Sequence, residues 1–295
     1  MRLSISRFIW ALVLLFSSQV LAEELVQTSN GPVFRKTTSV YTFGVVPQYH
    51  NRKIIRIWRP ILNEIEKQTG IVLSLTGTPT IPAFEKKFMK GELDFAYMNP
   101  YHILKASDSQ GYIPLVRDGS RKLRGILVVL KDSPYKSAAE LNGQVVALPS
   151  PNALGASMLL RADLESTFGM QVKPKYVQTH SSVYLHVAKG LVVAGGGVMS
   201  TFMSQRPEIK NRLRILFTTR GTIPHPIVAH PRVPRQDIKK IKAALLAMGK
   251  TPEGKAMLAE IPINDIRPSS ISEYKALAGW GLDKYYIQKK TTSAN

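Results

Sequence analysis

Two apolar runs, one in each half of the chain, end abruptly in small or polar residues. The first lies in GELDFAYMNPY, from Gly91 to Tyr101, and stops at Asn99-Pro100, a dipeptide that favours a turn. The second lies in GLVVAGGGVMSTF, where a strand predicted over 191–194 ends in three glycines. Ligands of open α/β sheets bind beyond the carboxyl ends of strands. The two breaks therefore predict two α/β lobes that face each other across a binding cleft.

Around these runs, strand-like segments alternate with segments of helical periodicity. Ile54, Trp58, Ile61 and Ile65 fall on one face of a predicted helix, which Gly70 closes as a C-cap. A βαβαβ order of this kind predicts a parallel sheet with right-handed crossovers. Strands are predicted over 40–46, 71–75, 93–97, 126–130, 145–148, 172–177, 191–194, 213–217 and 227–229.

The helical segments and the segments rich in Pro, Gly and Arg divide the chain into lobes. One helix is predicted over 153–168, closed by Gly169, and the tail is predicted as helices. The segments 118–125 and 221–226 are predicted crossings between lobes, which puts the first lobe in two pieces. The predicted organisation is a signal peptide over 1–22, lobe 1 over 39–123 plus 224–287, lobe 2 over 124–223 and a flexible tail over 288–295. The tail helices are predicted over 235–248, 252–261 and 272–287.

The first 22 residues have the layout of a secretory signal peptide. Arg2 and Arg7 precede the apolar run Phe8 to Phe16, and cleavage is predicted near Ala22. That run is shorter than the about 20 residues that span a bilayer, and the alternative is an uncleaved N-terminal anchor. The chain contains no cysteine, which excludes disulfides and thiolate metal sites. A cysteine-free secreted chain of this size suits a bacterial periplasm.

The chain is strongly basic, with 40 Lys and Arg against 20 Asp and Glu and a formal net charge of +20. Such a balance is typical of proteins that meet nucleic acid, anionic membranes or anionic small molecules. The cations stand in scattered pairs such as Arg52-Lys53 and Lys289-Lys290, and no nucleic-acid motif accompanies them. We therefore expect solvated basic faces that raise the local concentration of anions, and no nucleic-acid partner.

Several segments, taken in order, resemble periplasmic phosphonate-binding proteins. They are GELDFAYMNPY, ALPSPNALGASML (147–159), the Thr179-His180 step and the glycine-ended strand, and the resemblance covers roughly 41–287. It implies a type II periplasmic-binding fold, with two α/β lobes hinged about an interlobe cleft. It also implies a small anionic ligand, phosphonate-like or phosphate-like, delivered by a monomer to an ABC permease without a cofactor. Some relatives instead present their ligand to a membrane histidine kinase, so a sensing role stays open.

Anion binding is expected at helix N-termini, where backbone N–H groups are free and the dipole is positive. The helix start after Pro151-Asn152 is the strongest candidate, although Asn152 is equally typical of a plain N-cap. His180 matches a position that contacts the phosphonate group in relatives, while an isolated histidine is more often structural. Tyr97 is as well suited to the core as to a ligand wall. The candidate ligand-binding residues are Thr80, Tyr97, Asn99, Tyr101, Asn152, Ala153, His180 and Ser181.

The chain departs from the family pattern at two places that bear on the ligand. Relatives that bind aminoalkylphosphonates have a Ser-Thr-Ser turn before the cradle helix, whereas this chain has Asn152-Ala153-Leu154-Gly155. Those relatives also place an Asp at the end of the cleft strand of the second lobe, where this chain has Val193, or Val192 in a register shifted by one residue. Loss of that carboxylate argues against an amine-bearing ligand. We expect a different ligand, bulkier and more apolar, or none if the protein has become a sensor.

Motifs of catalysis are missing from the sequence. It contains no G-x-S-x-G elbow, P-loop or H-E-x-x-H helix. Its six histidines lack metal-ligand spacing with carboxylates, and Gly195-Gly196-Gly197 lacks the order of a dinucleotide site. We expect neither an enzyme nor a metal site. The remaining alternative is an enzyme on the same bilobal fold, such as a precursor-synthesis protein of thiamine metabolism.

Overall fold

The computed structural model describes residues 25–28, 31–34 and 39–287 of the 295. The predicted signal peptide and the predicted flexible tail lie outside the described residues. Strands β1 (Leu25–Thr28) and β2 (Gly31–Phe34) pair with each other as an antiparallel hairpin. Among the helices that are described, none has both the length and the apolar character needed to cross a bilayer.

Residues 39–287 form two sheets with helices packed on them. The strands are β3 (Val40–Val45), β4 (Val72–Thr76), β5 (Phe95–Tyr97), β6 (Ile113–Asp118), β7 (Leu123–Leu130), β8 (Val145–Leu148), β9 (Lys173–Tyr176), β10 (Ala194–Val198), β11 (Leu213–Thr222), β12 (Ile227–Ala229) and β13 (Ile266–Pro268). The helices are α1 (Asn51–Thr69), α2 (Ile81–Met89), α3 (Pro100–Gln110), α4 (Leu160–Phe168), α5 (His180–Ala188), α6 (Met199–Met203), α7 (Pro207–Lys210), α8 (Arg235–Met248) and α9 (Pro252–Glu260).

The two sheets are mixed rather than parallel. The six-stranded sheet has the order β13-β6-β12-β5-β3-β4, in which β3 pairs parallel with β4 and β5 while β12 is antiparallel to both of its neighbours, β5 and β6. The five-stranded sheet has the order β11-β7-β10-β8-β9, with β7 antiparallel to both of its neighbours. The α/β class is confirmed, and the parallel pairing predicted from the βαβαβ order holds for β3, β4 and β5. Antiparallel pairs come from β13 and from β7 and β12, the two strands that follow each passage of the chain between sheets.

The chain passes from the six-stranded to the five-stranded sheet through residues 119–122 and returns through residues 223–226. We call these two links the crossover segments. The lobe boundaries given above (39–123 with 224–287, and 124–223) stay a prediction, which the sheet membership of the strands supports.

Helix α1 shows how the apolar periodicity fixes the packing of the first sheet. Its apolar residues at helical spacing are buried, and the ring of Trp58 lies 5.0 Å from that of Phe43 and 5.1 Å from that of Tyr97. Burial of each such side chain is worth about 1.5–3 kcal/mol. Gly70 ends the helix with φ 70°, as its predicted role as C-cap requires.

The strand predicted over 191–194 is wrong in position, because the observed strand β10 consists mostly of the three glycines. A Cβ on Gly195 would lie 2.6 Å from Cγ1 of Val183, and one on Gly196 would lie 2.3 Å from the carbonyl oxygen of Ala156. A Cβ on Gly197 would lie 2.0 Å from the hydroxyl of Tyr184. The glycines are therefore needed for close helix packing on the strand, and not for a turn.

Two predicted helices also differ from the structure. The first turns of the helix predicted over 153–168 form a π-helix (Leu154–Leu159), which continues into α4. The helix predicted over 272–287 is broken into 3₁₀ segments. Gly281, with φ 67°, separates the last two of them, because that left-handed conformation cannot continue a helix. The 3₁₀ segments of this region are Ile271–Glu273, Lys275–Trp280 and Leu282–Tyr285.

Candidate functional site

A small cavity lies where strand ends of both sheets and the starts of several helices meet. Its volume is about 10 Å³, enough for about one water molecule. We call it the cleft cavity. The lining residues are Val46, Gln48, Ile81, Asn99, Ala153, Leu154, Gly155, His180, Val198 and His225.

Chain geometry explains why these residues converge. Gln48 follows the carboxyl end of β3, and Asn99 follows the carboxyl end of the neighbouring strand β5. Ala153 precedes the π-helix that follows β8, and His180 is the first residue of α5. Carboxyl ends of parallel strands and N-termini of the helices after them lie at one edge of a sheet. The cavity is thus a meeting point of backbone N–H groups with positive dipole ends.

Hydrogen bonds tie the two sides of the cleft cavity together. The backbone N–H of His180 donates to the carbonyl oxygen of Gln48 at 3.3 Å, and Nδ2 of Asn99 donates to the carbonyl oxygen of Asn152 at 3.2 Å. Farther out, the hydroxyls of Tyr49 and Ser204 are 2.9 Å apart. These contacts join residues attached to different sheets, so the described conformation is a closed one.

Asn99 acts first as the cap of α3. Its Oδ1 accepts from the backbone N–H groups of Tyr101 at 2.9 Å and His102 at 2.8 Å. Its Nδ2 lies 3.0 Å from Nε2 of His102, which is also 3.0 Å from Oε1 of the buried Glu85. The acceptor of Asn99 is therefore committed to the fold, and its amide N–H₂ is the part that faces the other sheet.

Asn152 does not line the cavity, because its side chain holds the C-terminal segment. Its Oδ1 accepts from the backbone N–H of Ile287 at 2.8 Å, and its Nδ2 donates to the carbonyl oxygen of Ile287 at 2.9 Å. The same Nδ2 donates to Oε2 of Glu85 at 3.0 Å. Both ends of the amide are thus occupied by protein partners.

Two buried histidines face the cavity in neutral form. Burial lowers the pKa of His180 to about 4. Burial, followed by the charges that His102 and His180 would carry, lowers the pKa of His225 to about 3. Nδ1 of His180 lies 3.4 Å from Oγ1 of Thr201, and the ring of His225 stacks on Tyr97 at 5.2 Å. A neutral imidazole offers one N–H donor and one acceptor, so each can donate to an anion without carrying charge.

The structure brings three of the predicted site residues into the cavity lining, namely Asn99, Ala153 and His180. Of the others, Thr80 caps α2 by accepting from the backbone N–H of Ala83 at 3.3 Å. Tyr97 packs in the core behind His225.

The remaining predicted residues are turned toward other parts of the protein. The hydroxyl of Tyr101 donates to Oδ1 of Asp283 at 2.5 Å, which directs the ring toward the C-terminal segment. Oγ of Ser181 lies 3.5 Å from Nε2 of Gln205. The side chains of Tyr101, Asn152 and Ser181 therefore do not line the cleft cavity in the described conformation.

Sequence reasoning missed several lining residues, of which Gln48 and His225 are the most polar. Gln48 could have been found, because it follows a predicted strand of the same sheet as the Asn99 break. His225 gave no such signal, since it lies in a Pro-rich crossover segment and reaches the cavity only through the fold. The two side chains approach each other at 3.4 Å, from Nε2 of Gln48 to Nε2 of His225.

Within the described residues, the lining of the cleft cavity contains no Lys, Arg, Asp or Glu side chain. The large positive charge of the protein therefore lies elsewhere. Any anion held here would be balanced by helix N-termini and neutral donors.

Known proteins and a protein-family model match most of the chain, including the residues that line the cleft cavity. A sequence model of a protein family, described as "ABC transporter, phosphonate, periplasmic substrate-binding protein", matches residues 43–274. The phosphonates-binding periplasmic protein of Escherichia coli (strain K12) is 23% identical over 251 residues, which covers 77% of this chain and 72% of that protein.

Solved structures of two bacterial proteins share the fold. A binding-protein component of an ABC phosphonate transporter from Pseudomonas aeruginosa has a TM-score of 0.74 and 17% identity, covering 84% of this chain and 87% of that one. PhnD1 from Prochlorococcus marinus (MIT 9301), in complex with methylphosphonate, has a TM-score of 0.76 and 16% identity, covering 84% and 99%. The expected type II periplasmic-binding fold is confirmed.

Proposed function

The chain belongs to the family of periplasmic substrate-binding proteins of phosphonate ABC transporters, and we propose that it captures a small phosphonate-like or phosphate-like anion in the cleft cavity and delivers it to the permease. The observation that carries this proposal is the convergence of helix starts at His180 and at Ala153–Gly155 on one cavity between the two sheets. Helix N-termini stabilise phosphate-type anions through their N–H groups and dipoles, and separation of the sheets would release the N–H of His180 from the carbonyl oxygen of Gln48.

The lining favours a ligand without an ammonium group. Apolar side chains of Val46, Ile81, Leu154 and Val198 surround the polar groups. A short alkyl substituent would find apolar contacts here, whereas an ammonium group would be buried without a counter-charge, which is costly. Methylphosphonate, the ligand named for the Prochlorococcus relative, is the simplest compound of this class.

Capture requires the cavity to open. At about 10 Å³ the described cavity is smaller than any phosphonate, so we propose that the sheets separate about the crossover segments to admit the ligand and close over it. We name a permease as the receiving partner, in preference to a sensor kinase, because the family consists of transporter components.

Calorimetric titration of the mature protein tests the proposal. We expect methylphosphonate to bind, and 2-aminoethylphosphonate to bind at least about tenfold more weakly because its ammonium group lacks a partner. Phosphate, phosphite and methanesulfonate complete the series. Absence of heat and of a thermal shift with every one of these compounds would overturn the proposal.

A pair of charge variants locates the binding. Ala153 is buried in the cavity lining and Ala139 is exposed on a 3₁₀ segment. Ala153→Asp should abolish methylphosphonate binding by repulsion, while Ala139→Asp should leave it unchanged. If Ala153→Asp unfolds the protein by circular dichroism, His180→Asn replaces it, with an expected loss of about tenfold or more from one missing donor. Equal affinity of the wild type and both cavity variants would place binding outside the cleft cavity.

A further inference from the structure

A second, much larger cavity lies beside the crossover segments. Its volume is about 560 Å³, and it opens to solvent between the crossover segments and the C-terminal 3₁₀ segments. We call it the crossover cavity. Its lining residues are Arg117, Gly119, Ser120, Arg121, Lys122, Arg124, Gly221, Thr222, Ile223, Pro224, Glu273, Ala276, Leu277 and Trp280.

The strand pairing next to the crossovers places two cations side by side. The start of β7 pairs antiparallel with the end of β11, with Arg124 opposite Gly221. Because Gly221 has no side chain, the stem of Lys122 packs close over it: a Cβ there would lie 2.9 Å from Cβ of Lys122 and 3.4 Å from Cζ of Arg124. Both passages of the chain between the sheets thus contribute to one wall.

The crossover cavity carries a surplus of positive charge. Four cationic side chains line it against one carboxylate, that of Glu273. Arg117 is committed to Glu273, whose hydrogen bond raises the pKa of the guanidinium. Arg121 lies 3.6 Å from the buried carboxylate of Asp118.

The other two cations have no such compensation. Within the described residues, Lys122 and Arg124 form no ion pair with a carboxylate, and Arg124 donates only to the carbonyl oxygen of Thr219, at 3.2 Å. Like charges collected in a concave site focus the field on an incoming anion. Leu277 and Trp280 add an apolar and an aromatic side chain to the lining.

We propose that the crossover cavity is a second anion site, which binds an anion carrying a chain of two or more phosphate groups. A cavity of about 560 Å³ is far larger than a single phosphonate, whereas a phosphate chain extends along such a cavity and meets several of its four cations. Guanidinium groups bind phosphate oxygens in a bidentate manner. Because residues of both crossover segments line the cavity, an anion bound there would contact both links between the two sheets.

Calorimetric titration of the mature protein with inorganic triphosphate at low salt tests this proposal. We expect one site per chain and at least about tenfold weaker binding by the double variant Lys122→Ala/Arg124→Ala. The matched control is Lys173→Ala/Lys175→Ala, which removes two exposed cations at the same spacing from the edge strand β9. The control should bind triphosphate within about twofold of the wild type, and thermal midpoints establish that each variant folds.

Two further titrations distinguish this site from the cleft cavity and identify which part of the ligand is recognised. Ala153→Asp should retain triphosphate binding even where it abolishes methylphosphonate binding, so the two sites fail independently. ATP that binds more tightly than triphosphate would add a base contact at Trp280 to the phosphate site, and equal affinities would assign recognition to the phosphate chain alone. The proposal is overturned if the wild type does not bind triphosphate, if the Lys122/Arg124 variant binds as well as the wild type, or if the control loses affinity equally.

Discussion

The cleft cavity and the crossover cavity use opposite means to attract an anion. The first is closed, about 10 Å³ in volume and lined by neutral side chains at helix starts. The second is open, about 560 Å³ in volume and lined by four cations. A neutral, buried cavity selects a ligand by shape and by a few oriented N–H donors, whereas an open cationic cavity attracts any anion of sufficient charge. The net charge of the chain therefore says little about the cavity at which we propose that the phosphonate-like ligand binds.

The largest difference between the two regions is expected in their tolerance of one added methyl group. A Cβ on Gly125, next to the cleft cavity, would lie 2.0 Å from the carbonyl oxygen of Gly155, which belongs to backbone that cannot move away. We expect Gly125→Ala to lower the free energy of unfolding by about 3 kcal/mol or more. Gly221→Ala is the matched change at the crossover cavity, where an added Cβ would lie 2.9 Å from Cβ and 3.0 Å from Cδ of the exposed Lys122.

For Gly221→Ala we expect a smaller loss, about 1–2 kcal/mol, because the overlap is milder and involves an exposed side chain instead of a buried backbone carbonyl. Urea unfolding of both variants measures the comparison. Equal losses at the two glycines would mean that the cleft cavity is packed no more tightly than the crossover cavity.

The two cavities are also expected to differ in how their residues make protein stability depend on pH. The folded-state pKa of His180, about 4, and of His225, about 3, both lie below the value of about 6.5 for an unfolded chain. The unfolded state therefore binds protons first, and stability is lost as the pH falls from about 6.5 toward these values. Between pH 7.5 and pH 5 the expected loss is about 2 kcal/mol for each histidine.

The crossover cavity should respond to acid only in a lower range. Burial raises the pKa of Glu273, but hydrogen bonds from Arg117, Ser270 and Ser269 outweigh it, and the net shift is downward. The contribution of Glu273 to stability is present above about pH 4.5 and lost below it.

Chemical unfolding at pH 7.5 and pH 5 measures the loss of stability that the two histidines cause. His180→Asn should reduce this pH dependence, and the exposed His50→Gln should not. An unchanged pH dependence in His180→Asn would show that this histidine is not buried in neutral form.

The sequence predicted the features that depend on local pattern. The periodicity of Ile54 to Ile65 and the cap at Gly70 both belong to α1, and the break predicted at Asn99-Pro100 lies directly after β5. The glycines of β10 were taken for a turn because a glycine run is a local turn signal. Their actual role is contact with Val183, Ala156 and Tyr184, which only the packed structure reveals.

The same distinction explains which candidate residues meet in the cleft cavity. Asn99 was found because it ends an apolar run, and His180 because it opens a predicted helix and matches a position in relatives; their role in ligand binding stays a prediction. The partner of Asn152 is Ile287, 135 residues away in the sequence, so no local pattern could have assigned it. The contact between Gln48 and His225 likewise joins a strand end to a crossover segment.

The smallest expected effect is the response of the two sites to salt, and it separates them most directly. Exposed cations are screened over a Debye length of about 10 Å at 0.1 M salt, whereas buried N–H dipoles are screened much less. Raising sodium chloride from about 0.05 M to about 0.5 M should weaken triphosphate binding by about tenfold and methylphosphonate binding by less than about threefold. Titrations of the same protein sample at both salt concentrations measure the two responses. A steep salt dependence for methylphosphonate would mean that it binds among the exposed cations, and the assignment of the cleft cavity as its site would then be wrong.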